Sequence, residues 1–529
     1  MGNLVSQDVE GAYSKLCEDL VSNDPERNQS GVLHWATPPL KEEQLTHFIQ
    51  CLSKNTTLRK IVLQDMEALP IGKHPSLAKA LKEHSALTCL GFKGRLPKED
   101  LLNTYSDMFL QSSKFSEFEI ENSIISGTAM DSIISLLKKE STVSDPTGRL
   151  TSLSLKGCQV AADDIARLTC AIKESAASEK LQELEITLKP PVASPEAAQN
   201  LADFFAAADS VLQIISLAGL LEGNVPTLMK SLKGHQCLQQ ISLKGRGLAE
   251  EKGMEAIGAV VSECPRLAVL DLSESQITSS VGCLFAKALQ QAPNGGGSLH
   301  KLFLSRNSIG DEGAIALAKS LEQLDSCTSN LQVLDVRLNQ IGPMGIAALA
   351  NSMQKDHVKL QKLCIGEEAI RASRRFEKVD VEALTAMIEK NKSLHELHMA
   401  DATFEDQGLQ KMLESLAQNK TILKCELACA TTASLQEAIR ALPKLHLHSL
   451  SIRAIGETQL DQTTGDSLLG KLDENKSLRE FIITGLKESS ESVWKGIKPK
   501  VESMLLSPKH SLDDTGDAEE SSKRTKVSK

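Results

Sequence analysis

Glu117, Glu119 and Glu121 alternate with apolar residues, and Glu183 and Glu185 do the same farther along. Ser152, Ser154 and Lys156 hold the equivalent places between them. Residues two apart on a strand share a face. This spacing therefore puts carboxylates side by side on one surface, where a basic ligand would relieve their mutual repulsion. It assigns none of them as proton donor to another's acceptor. Asp271 and Asp335 occupy one further equivalent position, with Arg337 two residues on and Arg306 at a strand end. Such mixed charge suits a protein surface better than nucleic acid. His446 and His448 alternate, and His395 and His398 lie nearby in sequence, but they supply no full metal-ligand set and read as ordinary strand histidines. The run Gly465-Asp-Ser-Leu-Leu-Gly470-Lys471-Leu472 looks like a phosphate loop. Leu472, however, lacks the hydroxyl that such a loop offers to magnesium. No nucleophile elbow, no H-E-x-x-H and no G-x-G-x-x-G after a strand is found. The expectation is a non-enzyme with no cofactor and no metal.

The elements that position these residues are written most clearly between Leu299 and Leu349. Leu299, Leu302 and Leu304 recur as Leu331, Leu334 and Val336, and Asn307, Ile309 and Gly310 recur as Asn339, Ile341 and Gly342. Period-two apolar positions make a short strand, and Ala314, Leu317, Ala318 and Leu321 then follow helical spacing. Between them the asparagine amide can satisfy backbone groups left unpaired where the chain turns away. Glycine accepts the turn that comes next. One such unit buries too little alone, so copies must stack. The same leucine marker recurs at Leu58, Leu87, Phe115, Leu150, Leu181, Leu212, Leu238, Leu267, Leu299, Leu331, Leu360, Leu394, Ile422, Leu447 and Leu478, about thirty residues apart. An atypical first strand is expected at Val32 to Trp35. Asn55, Asn391, Asn419 and Asn475 each stand three residues before a marker. They are expected to end helices in the left-handed conformation that asparagine tolerates.

The pattern, including N-x-I-G-D-E-G-A-x-x-L-A from Asn307 to Ala318, resembles leucine-rich repeats of the ribonuclease-inhibitor-like type. That resemblance implies an α/β class fold: a curved solenoid, or horseshoe, with parallel strands on the concave face and helices on the convex face. It also implies a protein partner on the concave wall. Cys158 stands at the asparagine position, where this family also uses cysteine, and is expected to be structural.

Composition sets further bounds. Aromatic residues make up only 3% of 529, which suits a core of Leu, Ile and Ala layers. A net charge of −10 argues against non-specific nucleic-acid binding. The 12 cysteines form no C-x-x-C pair. With no apparent secretory signal, this reads as a reducing, cytoplasmic setting. No run is apolar enough to span a membrane. MGNLVS matches the myristoylation pattern at Gly2, and membrane contact is expected only if that glycine is acylated. The expected organisation is a capping segment over residues 1–30, about fifteen repeats over 31–488, a C-terminal cap over 489–506 and a disordered tail over 507–529. Val493, Trp494, Ile497, Val501 and Leu505 would build the C-terminal cap, with Pro499 limiting its regularity. The tail ends in basic residues, which leaves a nuclear location open.

Three functional readings follow from the sequence. The first is an adaptor that binds a protein partner, possibly basic, on the wall formed by Glu117, Glu119, Glu121, Glu183, Glu185, Asp271, Arg306, Asp335 and Arg337. The second is a regulator of a small GTPase, because GTPase activators of Ran resemble this repeat type; faster GTP hydrolysis by a purified GTPase would mark it. The third is a myristoylated, membrane-attached adaptor or pathogen effector acting in a host cell; a myristoyl mass gain lost in Gly2→Ala would mark it.

Overall fold

The structure is a computed structural model. It describes residues 9–22, 31–36, 42–97, 99–112, 114–138, 150–175, 179–191, 194–209, 211–219, 223–291, 299–323, 330–366, 375–376, 378–399, 403–404, 406–455 and 458–505. Gly2 and the tail lie outside these residues. The chain forms two compact units, 1–269 and 270–529.

In the N-terminal unit, helix α1 (Val9–Ser22) precedes β1 (Val32–Ala36), and helix α2 (Glu42–Lys54) follows it. Strands β2 (Lys60–Gln64), β3 (Cys89–Lys93), β4 (Glu117–Glu121), β5 (Ile124–Ile125), β6 (Ser152–Val160), β7 (Glu183–Leu188), β8 (Ile214–Ala218) and β9 (Gln240–Lys244) come next, separated by helices in every case except β4 and β5. The pairs β1–β2, β2–β3, β3–β4, β4–β6, β6–β7, β7–β8 and β8–β9 are all parallel. One row of the register runs Ile61, Leu90, Phe118, Leu153, Leu184, Ile215 and Ile241, every one buried. Each such side chain contributes roughly 1.5–3 kcal/mol by leaving water. The few aromatics gather locally: Phe92 meets Tyr105 edge-on at 5.4 Å, and Phe109 stacks on Phe115 at 5.4 Å.

The C-terminal unit repeats the plan. After β10 (Val269–Asp271), whose first residue closes the preceding unit, come β11 (Lys301–Phe303), β12 (Val333–Asp335), β13 (Lys362–Cys364), β14 (Arg375–Phe376), β15 (Glu396–His398), β16 (Thr403–Phe404), β17 (Lys424–Cys429), β18 (Ser449–Ala454) and β19 (Glu480–Thr484). The main strands pair in parallel in the order β11, β12, β13, β15, β17, β18, β19, and β14 pairs with β16. Helices intervene as before. Each unit is thus an α/β solenoid of parallel strands with helices between them. All fifteen marker residues lie two positions ahead of a strand. The marker is buried, and the ladder starts just behind it: Arg59 N and Lys60 N, following Leu58, both donate to Gly31 O at 2.8 and 3.0 Å.

The asparagines act as the motif requires. Asn307 Nδ2 donates to Leu272 O and Leu304 O at 2.9 and 2.8 Å, and its Oδ1 accepts from Ser275 N and Ile277 N. Cys158 copies half of this, its fully buried thiol donating to Ile120 O at 3.3 Å. The helix-exit asparagines correct an expectation. They do follow helices, but Asn475 has φ −79° and ψ 135°, and none of the four has positive φ. Their side chains do the work instead. Asn391 Oδ1 accepts from Ser393 N and Leu394 N, while its Nδ2 reaches back to Met353 O at 2.7 Å. The left-handed residues in the 270–340 stretch include Arg306 and Leu338, each just before a motif asparagine.

The two motif glycines also differ. Gly310 has φ +62°, where L residues are strained. Gly342 is extended, at φ −79° and ψ 176°, and is needed because a Cβ there would overlap the Asp311 carboxylate. That carboxylate accepts from Gly345 N at 2.8 Å, so the aspartate of one repeat caps the helix Pro343–Ser352 of the next. The last helix, Glu488–Leu505, runs through Pro499 for its full 18 residues and buries Trp494, Ile497, Val501 and Leu505.

Candidate functional site

The outward rows of the strands carry the candidate residues. In the N-terminal unit one row is Val32, Lys60, Cys89, Glu117, Ser152, Glu183, Ile214 and Gln240. The next is His34, Val62, Gly91, Glu119, Ser154, Glu185, Ser216 and Ser242. Glu121 and Lys156 are partners in the third. All five sequence-selected glutamates of this unit therefore share one face.

Their electrostatics differ from simple mutual repulsion. Lys60 reaches past β3 to pair with Glu119, and Lys93 Nζ lies 2.9 Å from Glu121 Oε1. Small residues make the reach possible, since Cys89 and Gly91 occupy the intervening strand. Burial pulls the Lys60 ammonium pKa down, but the Glu119 hydrogen bond and nearby acidic groups outweigh it, and the net shift is upward. Glu183 accepts from Ser152 Oγ at 3.1 Å, and Glu185 accepts from Ser154 Oγ at 2.7 Å. Glu117, Glu183 and Glu185 make no ion pair among the described residues. The acidic surface open to a ligand is thus narrower than five carboxylates. It is Glu117, Glu183 and Glu185, with Glu119 and Glu121 already matched from within.

In the C-terminal unit Asp335 is 5% exposed, and both its oxygens are engaged by Arg337: Nε at 3.1 Å and Nη2 at 2.7 Å. Asp271 Oδ1 accepts from Ser273 N at 2.9 Å. Arg306 is exposed and stands 3.8 Å from Glu274. These four residues lie on or beside the same strand ends without forming one cluster. The same face holds a tighter group that was not selected from sequence. His398 on β15 places Nδ1 2.8 Å from Glu426 Oε2 on β17 and Nε2 3.2 Å from Glu396 Oε2. Both ring nitrogens donate here only when the imidazole is protonated. Lys362 Nζ adds a 2.9 Å pair to Glu396. The His398 hydrogen bond holds the Glu426 carboxyl below its ordinary range. Burial pushes Glu396 upward, but Lys362 and then His398 outweigh it and leave it lowered. The signal was available. Lys362, Glu396, His398 and Glu426 sit two or four residues after Leu360, Leu394 and Ile422, where the marker rule puts outward side chains. His395 and His446 are exposed and lie outside this group.

The arrangement offers a polar, mixed-charge surface. The P-loop-like run lies within the unbroken helix Gln462–Glu474, which leaves no loop to cradle a phosphate. Among the described residues no helix is long and apolar enough to cross a membrane.

Comparison with known proteins agrees with the geometry. A family model described as Leucine Rich repeat matches residues 298–318, 329–350 and 390–413. The Ribonuclease inhibitor of Sus scrofa is 27% identical over 329 residues, which cover 60% of this chain and 61% of that protein.

Proposed function

Because this chain is a leucine-rich-repeat protein of the ribonuclease-inhibitor-like type, we propose that it is a non-catalytic adaptor whose strand face binds a protein partner. Leucine-rich-repeat proteins act in protein–protein interaction, and stacked repeats provide extended surfaces for it. The observation that carries the reading is the register. It lines up outward side chains from successive strands and, among the described residues, leaves Glu117, Glu183 and Glu185 outside any ion pair. A partner with a basic surface fits this patch. In the C-terminal unit the Asp335–Arg337 and Glu396–His398–Glu426 groups hold rigid polar side chains that give specificity more than affinity.

The test compares two variants. Affinity capture with the full chain, followed by mass spectrometry, identifies a partner; a ribonuclease is the first purified candidate to try, given the relative's name. Glu117→Lys/Glu183→Lys/Glu185→Lys is expected to weaken binding on the order of 100-fold, at about 1 kcal/mol for each water-exposed charge contact removed. Glu119→Gln/Glu121→Gln is expected to weaken it less, because those carboxylates serve Lys60 and Lys93. If the triple reversal keeps its circular dichroism and its affinity, the N-terminal face is not the binding surface.

A further inference from the structure

A separate group of side chains lies between the first two helices of the N-terminal unit. Cys17 is on α1, and His47 and Cys51 are four residues apart on α2, one turn above each other on one face. The two sulfurs and a His47 ring nitrogen all lie within 4.8 Å of one another. Cys17 and Cys51 are buried and His47 is exposed.

The hydrogen bonds assign the histidine tautomer. Tyr13 Oη donates its only proton to Gln44 O at 2.6 Å. Its oxygen must then accept from His47 Nδ1 at 3.0 Å. Nε2 then keeps its lone pair and accepts from the Cys51 thiol, with Sγ 3.6 Å away. A phenol oxygen holding one imidazole N–H while the other nitrogen faces the Cys51 thiol is the outer-shell arrangement that orients a metal-binding histidine.

The distances match a particular ion. Zinc sits about 2.3 Å from sulfur and about 2.0–2.1 Å from nitrogen at tetrahedral angles, which separates S and N by about 3.6 Å and two sulfurs by about 3.8 Å. The Cys51–His47 separation already has the first value, and the 4.8 Å limit leaves at most about 1 Å of closure. We propose that Cys17, His47 and Cys51 form a zinc site, with His47 ligating through Nε2 and a solvent molecule taking the fourth position. Among the described residues no fourth Cys, His, Asp or Glu joins the group. Binding replaces the two thiol protons with the metal, releasing two protons per zinc while the neutral imidazole gives up none. Because the two thiols must lose their protons to bind, binding tightens as pH rises. The ion would tie α1 to α2 and stabilise the folded unit by linkage.

Zinc titration of the metal-stripped, reduced full chain against a chromophoric zinc indicator tests this, with cobalt as a spectroscopic probe. One equivalent is expected to bind, at least 100-fold tighter than to Cys17→Ser/Cys51→Ser. Tyr13→Phe, with unchanged circular dichroism, is expected to lose about tenfold. The thiolate-to-cobalt absorption should fall by about half in Cys17→Ser and vanish in the double variant. Equal zinc affinity in the wild type and the double variant overturns the proposal. So does a cobalt band indifferent to both cysteines, or a Cys17–Cys51 disulfide in protein kept under thiol reductant.

Discussion

Asn339→Ala is expected to destabilise the C-terminal unit by about 4 kcal/mol. Asn339 is 0% exposed. Its Nδ2 donates to Leu304 O at 2.8 Å, Val336 O at 3.0 Å and Arg337 O at 3.2 Å, and its Oδ1 accepts from Ile309 N at 3.3 Å. Two of these groups have substitutes: Leu304 O also receives Asn307 Nδ2, and Arg337 O receives Arg306 N. Val336 O and Ile309 N have no other partner among the described residues. Each buried group left unsatisfied costs about 1–3 kcal/mol, so two cost roughly 4 kcal/mol, about a thousandfold in the unfolding equilibrium. Urea titration followed by far-ultraviolet circular dichroism measures this, with the slope checked for constancy. A loss under about 1 kcal/mol in Asn339→Ala would refute the reasoning.

Two further outcomes follow from the electrostatics. Glu396 and Glu426 titrate below the ordinary 4.5 in the folded chain. A lowered carboxylate stabilises the fold above its unfolded pKa and loses that contribution as pH falls through its folded pKa. His398→Ala should therefore lower the urea midpoint at pH 6 and lower it less once pH drops below 4.5; an equal gap at pH 6 and pH 3 would sink this account. Burial lifts the Cys158 thiol to about 11 and the Cys89, Cys364, Cys425 and Cys429 thiols to about 12. Among the cysteines of the described residues, iodoacetamide at pH 8 should then label the half-buried Cys170, Cys237 and Cys283 ahead of these five, as read by peptide mass spectrometry. Equally fast labelling of Cys425 would show that the strand cores open.

The strand face was legible because one rule generates it. A buried leucine marks the approach to a strand, and residues two, four and six places later face outward. Applied evenly, the rule would have found Lys60, Lys93, Lys362, Glu396, His398 and Glu426 together with the five glutamates. Lys60 and Lys93, the cations that neutralise Glu119 and Glu121, lie on the two strands before that acidic one and were not read with it. The helix-exit asparagines were placed correctly but explained by the wrong physics, because an asparagine can end a helix by hydrogen bonding as well as by left-handed backbone.

The repeat, its length, the strand register and the buried row can be read from residue order alone, because each depends on periodic burial and on dihedral preferences within about thirty residues. Which charges meet depends on how the repeats stack. Lys60 finds Glu119 across 59 residues because Cys89 and Gly91 leave room between them. Gly342 is required by an aspartate of the preceding repeat, and Gly310 by its own φ. Cys17, His47 and Cys51 converge because two helices pack side by side. Such contacts depend on the lengths of side chains that stacking brings together, and no local periodicity encodes that.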